Sequence, residues 1–471
     1  MPSSIGVCYP DKYAVEETFQ LLKVPWEWYA PGRQYDVVIS RKADVPEWTG
    51  SLVDLTGNDI FSKVAGLLNT GAEHLHEPTC DILLDALRQE LKKHTLLVEI
   101  PPAPWGHPYM VALTHDVDLT SVRECRWTTV GYAAYQCLRQ GKIGAGFLFM
   151  LARCGIGPDP WVLFSRWREF EDSLGIHSTF FFVPKPGEAG IRAHLYRAVR
   201  YDVHEKSDVL HDLENGGWET GVHGLDNWAD AGSGKNERVF LEPQTANPGN
   251  RTHWLLFDKS SWEVLDEAGY SYDTTFGYND DAGFRAGTLQ AYRPRDVKSL
   301  LELPLHIQDL GLFGKFCWAP TQDGWEKTPC LHLDEPTARA WCDRIFAYAR
   351  TYGGAVTVLW HYENLMPPKG WSGFYADMVR QAKVDGAWVT TAGEVAKWFR
   401  KRREIYFTAL QFQNEIIITA DGILPEQDTH ALQARVHIPP DQIVSIDAEY
   451  SPACGYIDIK MDKRCITVRI A

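Results

Sequence analysis

No Cys-x-x-Cys pair occurs anywhere in the 471 residues, although ten cysteines are scattered from Cys8 to Cys465. That spacing argues against a zinc ribbon or a disulfide framework and fits reduced, mostly buried thiols. The N-terminal stretch MPSSIGVCYPDKYAVEE has no basic segment followed by an apolar one, so no secretory leader is read there and a cytoplasmic location is expected. No apolar run approaches the roughly 20 residues that span a bilayer, and no membrane contact is expected. Positive charge is also short. With 47 Lys+Arg against 62 Asp+Glu the net charge is −15, which ranks nucleic acid last among conceivable partners. No internal repeat or low-complexity tract is present.

What remains is the composition of an ordinary folded protein, 45% hydrophobic and 23% charged, long enough for two to four domains. Tryptophan (18) and tyrosine (20) are plentiful. Such rings stack on sugars, although a large core absorbs most of them.

Residues 1–105 read as a small α/β domain without identifiable chemistry. Helical spacing covers Ala14–Leu22 and Asp81–His94, and short apolar strands are expected at Tyr35–Ser40, Leu52–Leu55 and Thr95–Ile100. Pro101, Pro102 and Pro104 then mark a boundary. His74, His76 and Cys80 lack a fourth partner at ligand spacing and are read as surface polar residues.

Over 106–403 the rhythm changes to apolar strands followed by longer helices. Strands are expected at Met110–Thr114, Ser178–Val183, Thr220–His223, Tyr270–Thr275, Leu301–Ile307 and Ala355–Trp360. Helices are expected at Val162–Leu174, Asp202–Glu214, Phe257–Glu267 and Thr337–Tyr352. This alternation predicts a parallel sheet, open or closed into a barrel, with reacting groups at the strand ends. Residues 119–160 form an insertion with Arg123, Arg126, Arg139, Lys142 and Arg153 against Glu124 and Asp159, and with the apolar run Gly144–Leu151. The insertion suits a lid or a membrane-surface helix, but a packed helical hairpin is expected. From 404 to 471 only strands are expected, at Ile405–Phe412, Glu415–Ala420, Gln433–Ile438, Gly455–Met461 and Cys465–Ile470, as in a small β-sandwich that braces the barrel.

Four motifs pass the strand-end test. MVALTHDVD delivers Asp116 and Asp118, one suited to hold a metal and the other to handle a proton. GWETGVHGLDNWAD ends its apolar alternation at His223. GNRTHWLLFD carries Arg251 and His253, and AVTVLWHYEN ends at His361.

Together these motifs resemble the polysaccharide deacetylase (NodB homology) family over about residues 109–400. THDVD resembles that family's T-F-D-D, HSTFFFVP its A-T-F-F-V, and ETGVHG its E-I-G-x-H. Arg251-Thr-His-Trp254 is similar to R-x-P-Y, and Leu359-Trp-His361 to L-x-H. The run GYSYDTTFGYNDDAGFRAGT resembles a bacterial subgroup with an additional N-terminal domain. The resemblance implies a distorted (β/α) barrel and a divalent metal ion, commonly Zn2+. It implies Asp116 as base, Asp118 and His223 as metal ligands, and Arg251 orienting the base. It further implies the Trp254 backbone N–H at the oxyanion and His361 as the acid. Asp273 is expected to orient His361, and Arg285 and Trp360 to contact substrate. The family's second histidine falls at Asn227, a weak zinc ligand. His253 is the preferred substitute, with Asp226 and Asp230 as other donors.

The implied activity is removal of an N-acetyl group, secondarily an O-acetyl group, from a carbohydrate, within surface polysaccharide assembly. Two other readings stay open: a carbohydrate-binding or scaffolding protein on a degenerate barrel, and a hydrolase of a small cyclic amide.

Overall fold

The computed structural model describes residues 5–239, 248–321, 324–421 and 430–471. At its centre the strand Met110–Val117 is buried at every position, as a strand covered on both faces must be. On one side follow Thr179–Phe182, Glu219–Gly224, Gly249–Thr252, Tyr272–Asp273 and Leu301–Glu302; on the other lie Ala355–Leu359 and then Leu305–Gln308. Every neighbouring pair is parallel. Trp388–Thr390 adds to the lower half of the central strand, opposite Met110–Ala112.

The sequence predicts one strand over Leu301–Ile307, and the chain makes two. Pro304 has no N–H to donate, so the ladder breaks there. The first half bonds to Tyr272–Asp273 at one edge of the sheet and the second to Ala355–Leu359 at the other. One short stretch of chain thus bonds at both edges, and the parallel sheet curls in the manner of a (β/α) barrel. Helices intervene between its strands. The longest, Glu335–Tyr352, is started by the Asp334 side chain accepting from the Thr337 N–H at 3.0 Å and ended by Gly353 at a φ of +76°.

Ahead of the barrel, Glu27–Trp28, Ile5–Val7, Val37–Ser40 and Ser51–Asp54 form a parallel four-stranded sheet, with helices Lys12–Leu22, Ile60–Thr70 and Thr79–Leu91. The expected strand over Thr95–Ile100 is reduced to Val98–Glu99, and it pairs elsewhere, antiparallel to Leu432–Val436. After the barrel come two antiparallel sheets sharing one set of buried apolar side chains. Charge ties the parts together. The buried Glu99 carboxylate meets Arg88 at 2.8 Å and His437 at 2.9 Å. Buried Arg402 donates to the Leu21 and Ile100 carbonyls at 3.0 and 2.8 Å.

The insertion is a helical hairpin, Trp127–Arg139 and Ile143–Arg153. The helices pack on each other through Ala133, Ala134 and Cys137 of the first and Gly146 and Phe149 of the second, all buried.

Candidate metal-binding active site

Asp116 and Asp118 stand at the top of the central barrel strand. Strand alternation alone would give residues i and i+2 one direction, so both carboxylates face the same side. His223 arrives on the next strand but one and Arg251 on the strand beside it, in register opposite His223, with His253 in the turn just past that strand's end.

Among the described residues, Asp118, His223 and His253 are the one group whose ligand atoms cluster as a metal site requires. Asp118 Oδ1 lies 3.4 Å from His223 Nε2 and 3.3 Å from His253 Nε2. Two donors on a tetrahedral ion with bonds of 2.0–2.1 Å are separated by about 3.3 Å, so these contacts match the edges of such a site. Tautomer chemistry agrees. His223 Nδ1 is 2.8 Å from the Arg251 carbonyl, to which only an N–H can bond, so a neutral ring turns a bare Nε2 lone pair toward the carboxylates. His253 is neutral: burial pulls its pKa down to about 4 despite the adjacent Asp118. Asp118 Oδ1 is buried without a hydrogen-bond partner. The His223 lone pair and the unpartnered Asp118 oxygen facing each other are what a cation resolves.

Asp116 stands to one side of this triangle. Its Oδ2 is 3.6 Å from His223 Nε2 and its Oδ1 3.5 Å from Arg251 Nη1. Arg251 is fully buried over the Phe181 ring at 5.2 Å and donates to Thr274 Oγ1 at 3.1 Å.

His361 follows the strand on the other side of Asp116. Its Nδ1 is 2.7 Å from Asp309 Oδ1, and its backbone N–H donates to Asp309 Oδ2 at 2.8 Å. Asn364 Nδ2 also donates to Asp309 Oδ2. Burial would lower the imidazole, but the Asp309 carboxylate outweighs it and raises His361 to about 10, so its free Nε2 carries a proton at neutral pH.

Three expected contacts are corrected. Asp273 does not orient His361; its carboxylate accepts from Asn250 Nδ2 at 2.7 Å and Thr275 Oγ1 at 2.6 Å, one strand too far round the barrel. Trp360 is fully buried and stacked on Phe374 at 5.9 Å, so it cannot touch substrate. Arg285 lies over the Phe276 ring at 4.4 Å and donates to the Gly277 carbonyl at 2.9 Å, a loop-holding role. The other ligand candidates lie as follows. Asn227 donates through Nδ2 to Asn250 Oδ1 at 2.6 Å, its amide fills the space where a Gly224 side chain would stand, and its Oδ1 is buried without a hydrogen-bond partner. Asp226 accepts from the Ile191 N–H and Asp230 caps the Ala231–Val239 helix through the Ser233 N–H, both at 2.6 Å.

Sequence reasoning missed Asp309, which ends an apolar strand just as the other site residues do. It also missed an aromatic wall. Trp254 has a left-handed backbone (φ +67°), and its carbonyl accepts from Asn279 Nδ2 at 2.9 Å. Its indole packs against Trp325 at 4.8 Å and His194 at 5.2 Å, and His194 in turn meets Trp318 at 4.9 Å. Trp318 and Trp325 come from the antiparallel hairpin Phe316–Thr321 and Gly324–Pro329. All four rings are half-buried. Beside Asp118, a cleft of about 190 Å3 is lined by Glu124, Arg126, Thr129, Tyr196 and Glu363.

The chain matches no protein-family model and no curated protein. Among solved structures it aligns with a chain described as a polysaccharide deacetylase from Mycobacterium smegmatis, with 20% identity over 64% of this chain and 95% of that one at a TM-score of 0.40. It also aligns with the Puue allantoinase (13% identity, 64% and 93% covered, TM-score 0.40). A third is described as a polysaccharide deacetylase from Pseudomonas aeruginosa PAO1 (12% identity, 64% and 94% covered, TM-score 0.40).

Proposed function

We propose that this protein is a metal-dependent hydrolase that removes an N-acetyl group, secondarily an O-acetyl group, from a carbohydrate. The observation that carries the reading is the spacing of Asp118 Oδ1, 3.4 and 3.3 Å from the Nε2 atoms of His223 and His253. Two imidazoles and a carboxylate are a donor set that suits Zn2+. A divalent ion held there would supply Lewis acidity to the acyl carbonyl.

The chain's own residues supply the rest. Asp116, kept in place by Arg251, takes the proton from the attacking water. As the acyl carbon–nitrogen bond breaks, His361 Nε2 gives its proton to the departing amine, and Asp309 stabilises the imidazolium until that moment. The Trp254 backbone N–H is the candidate donor to the developing oxyanion. The exposed faces of Trp254, Trp318 and Trp325 support a sugar as the substrate, because pyranose rings stack on aromatic faces. The reading as a barrel without metal rested on Asn227, and it loses that basis when His253 takes the third ligand position.

Elemental analysis of the purified protein together with an acetate-release assay on acetylated amino sugars tests this reading. The expected result is about one divalent ion per chain and activity lost on chelation and restored by metal. Acetate release that persists in metal-free protein overturns it.

A further inference from the structure

The outer face of the helical hairpin does not suit water. Neither Trp127–Leu138 nor Ile143–Ala152 contains a single charged residue. Gly146, Phe149 and Ala152 turn inward, whereas Ile143, Phe147, Met150 and Leu151 recur at i, i+4, i+7 and i+8 and are 40–64% exposed. On the first helix Trp127 and Tyr132 are 51% and 64% exposed. Monomeric surfaces scatter such side chains singly, and a continuous stripe of them marks a contact.

Charge indicates what the contact is. The chain as a whole carries −15, yet between Glu124 and Asp159 no acidic residue occurs, while Arg126, Arg139, Lys142 and Arg153 do. The two bracketing carboxylates are turned to internal partners: Glu124 accepts from Thr120 Oγ1 at 2.6 Å, and Asp159 from Ser121 Oγ and the Val122 N–H at 2.6 and 3.0 Å. Arg139 and Lys142 stand exposed together at the hairpin tip. An apolar stripe edged with tryptophan and tyrosine and crowned with cations is complementary to the headgroup boundary of an anionic bilayer. No described helix is long and apolar enough to cross a membrane, so the hairpin would lie on the surface.

We propose that the Trp127–Arg153 hairpin docks this protein on an anionic lipid surface. This departs from the sequence-based expectation of no membrane contact, which preferred a merely packed hairpin to a membrane-surface helix. Arg126 and Thr129 of the hairpin line the cleft that contains Asp118, so docking sets that cleft at the headgroup layer. Resting on the hydrolytic reading above, the substrate is then an acylated saccharide borne by the membrane. The docking itself does not depend on that reading.

Flotation of the full chain with phosphatidylcholine vesicles, with and without about one-third phosphatidylglycerol, tests the proposal. The chain is expected to float with the anionic vesicles, at least roughly 10-fold more weakly with neutral ones, and less as salt rises. The double variants Phe147→Glu/Leu151→Glu and Arg139→Glu/Lys142→Glu should each weaken binding by roughly 10-fold or more, with thermal unfolding and activity on a soluble sugar unchanged. These side chains are exposed, so the fold should survive. No flotation, equal affinity for both vesicle types, or binding indifferent to both variants overturns docking. So does a chain that ignores vesicles but dimerises in sedimentation velocity and reverts to monomer in Phe147→Glu/Leu151→Glu. If the wild type floats yet releases no acetate from soluble or vesicle-borne acetylated sugars, the hydrolytic reading fails and docking stands.

Discussion

His361 Nδ1 sits 2.7 Å from Asp309 Oδ1, and the same carboxylate receives the His361 backbone N–H through its other oxygen. Ring and main chain are thus fixed by one side chain from a neighbouring barrel strand. Asp309→Asn should lower kcat by roughly 10- to 100-fold while leaving the bound metal and KM nearly unchanged, because it alters the proton's holder and not the binding site. Steady-state kinetics with elemental analysis of the same sample decide this; loss of metal would place Asp309 in the wrong role.

The same pair makes stability depend on pH. The folded-state pKa of His361, about 10, exceeds its ordinary 6.5, so protonation favours the folded state. That contribution is fully present below 6.5 and is lost as pH rises through about 10. Metal-free protein should therefore lose Tm over this interval, and Asp309→Asn should flatten the loss. Thermal scans across that range check it, and NMR titration of His361 should report a high value in the parent and one below the ordinary imidazole value in the variant.

Metal affinity separates the ligand from its neighbours. His253→Ala is expected to lose the ion, Asn227→Ala to keep it, and Asp116→Asn to keep it while losing roughly 100-fold or more in kcat. Bound metal and turnover measured on all three variants check this. Metal retained in His253→Ala but lost in Asn227→Ala would return the third ligand to the family's usual position.

The strand-end rule explains which of these residues are legible in the sequence. Asp116, Asp118, His223 and His361 each close an apolar run, and burial of those runs writes the barrel rim into the pattern of side chains. Asp309 obeys the same rule but hides behind Pro304, which cuts its strand short and makes Leu301–Ile307 read as a finished element. Trp360 misleads for the opposite reason: it is next to His361 in sequence, but strand alternation sends its ring to the other side, into the core. The Trp318–Trp325 hairpin leaves no trace because its strands are half-exposed on both faces, so no alternation between buried and open positions marks them.

Sugar recognition is testable at that hairpin. Trp325→Ala should raise KM for an acetylated sugar by roughly 10-fold with metal content intact, since a lost stacking face weakens substrate binding without touching the chemistry. Equal KM in parent and variant, measured on oligosaccharides, would remove the aromatic wall from the substrate path.

A chain ending at Arg403 should be poorly soluble. Val98–Glu99 would lose its strand partner Leu432–Val436, and buried Glu99 would lose His437. Recovery in the soluble fraction is the measurement, and a soluble, active truncation would show that the last two sheets do not brace the barrel.

That pairing also sets an order of events during synthesis. Val98–Glu99 leaves the ribosome before any strand of the barrel, yet the strand it bonds to emerges after all of them. A nascent chain must therefore carry an unpaired edge through the making of the whole barrel, and the last contacts to form are among the most distant in sequence. The Glu99 carboxylate waits as well, with Arg88 already present and His437 still to come. A charged side chain in a strand with no partner resists pairing with the wrong neighbour, so the residue that later bonds the finished ends together first serves to keep the unfinished edge apart.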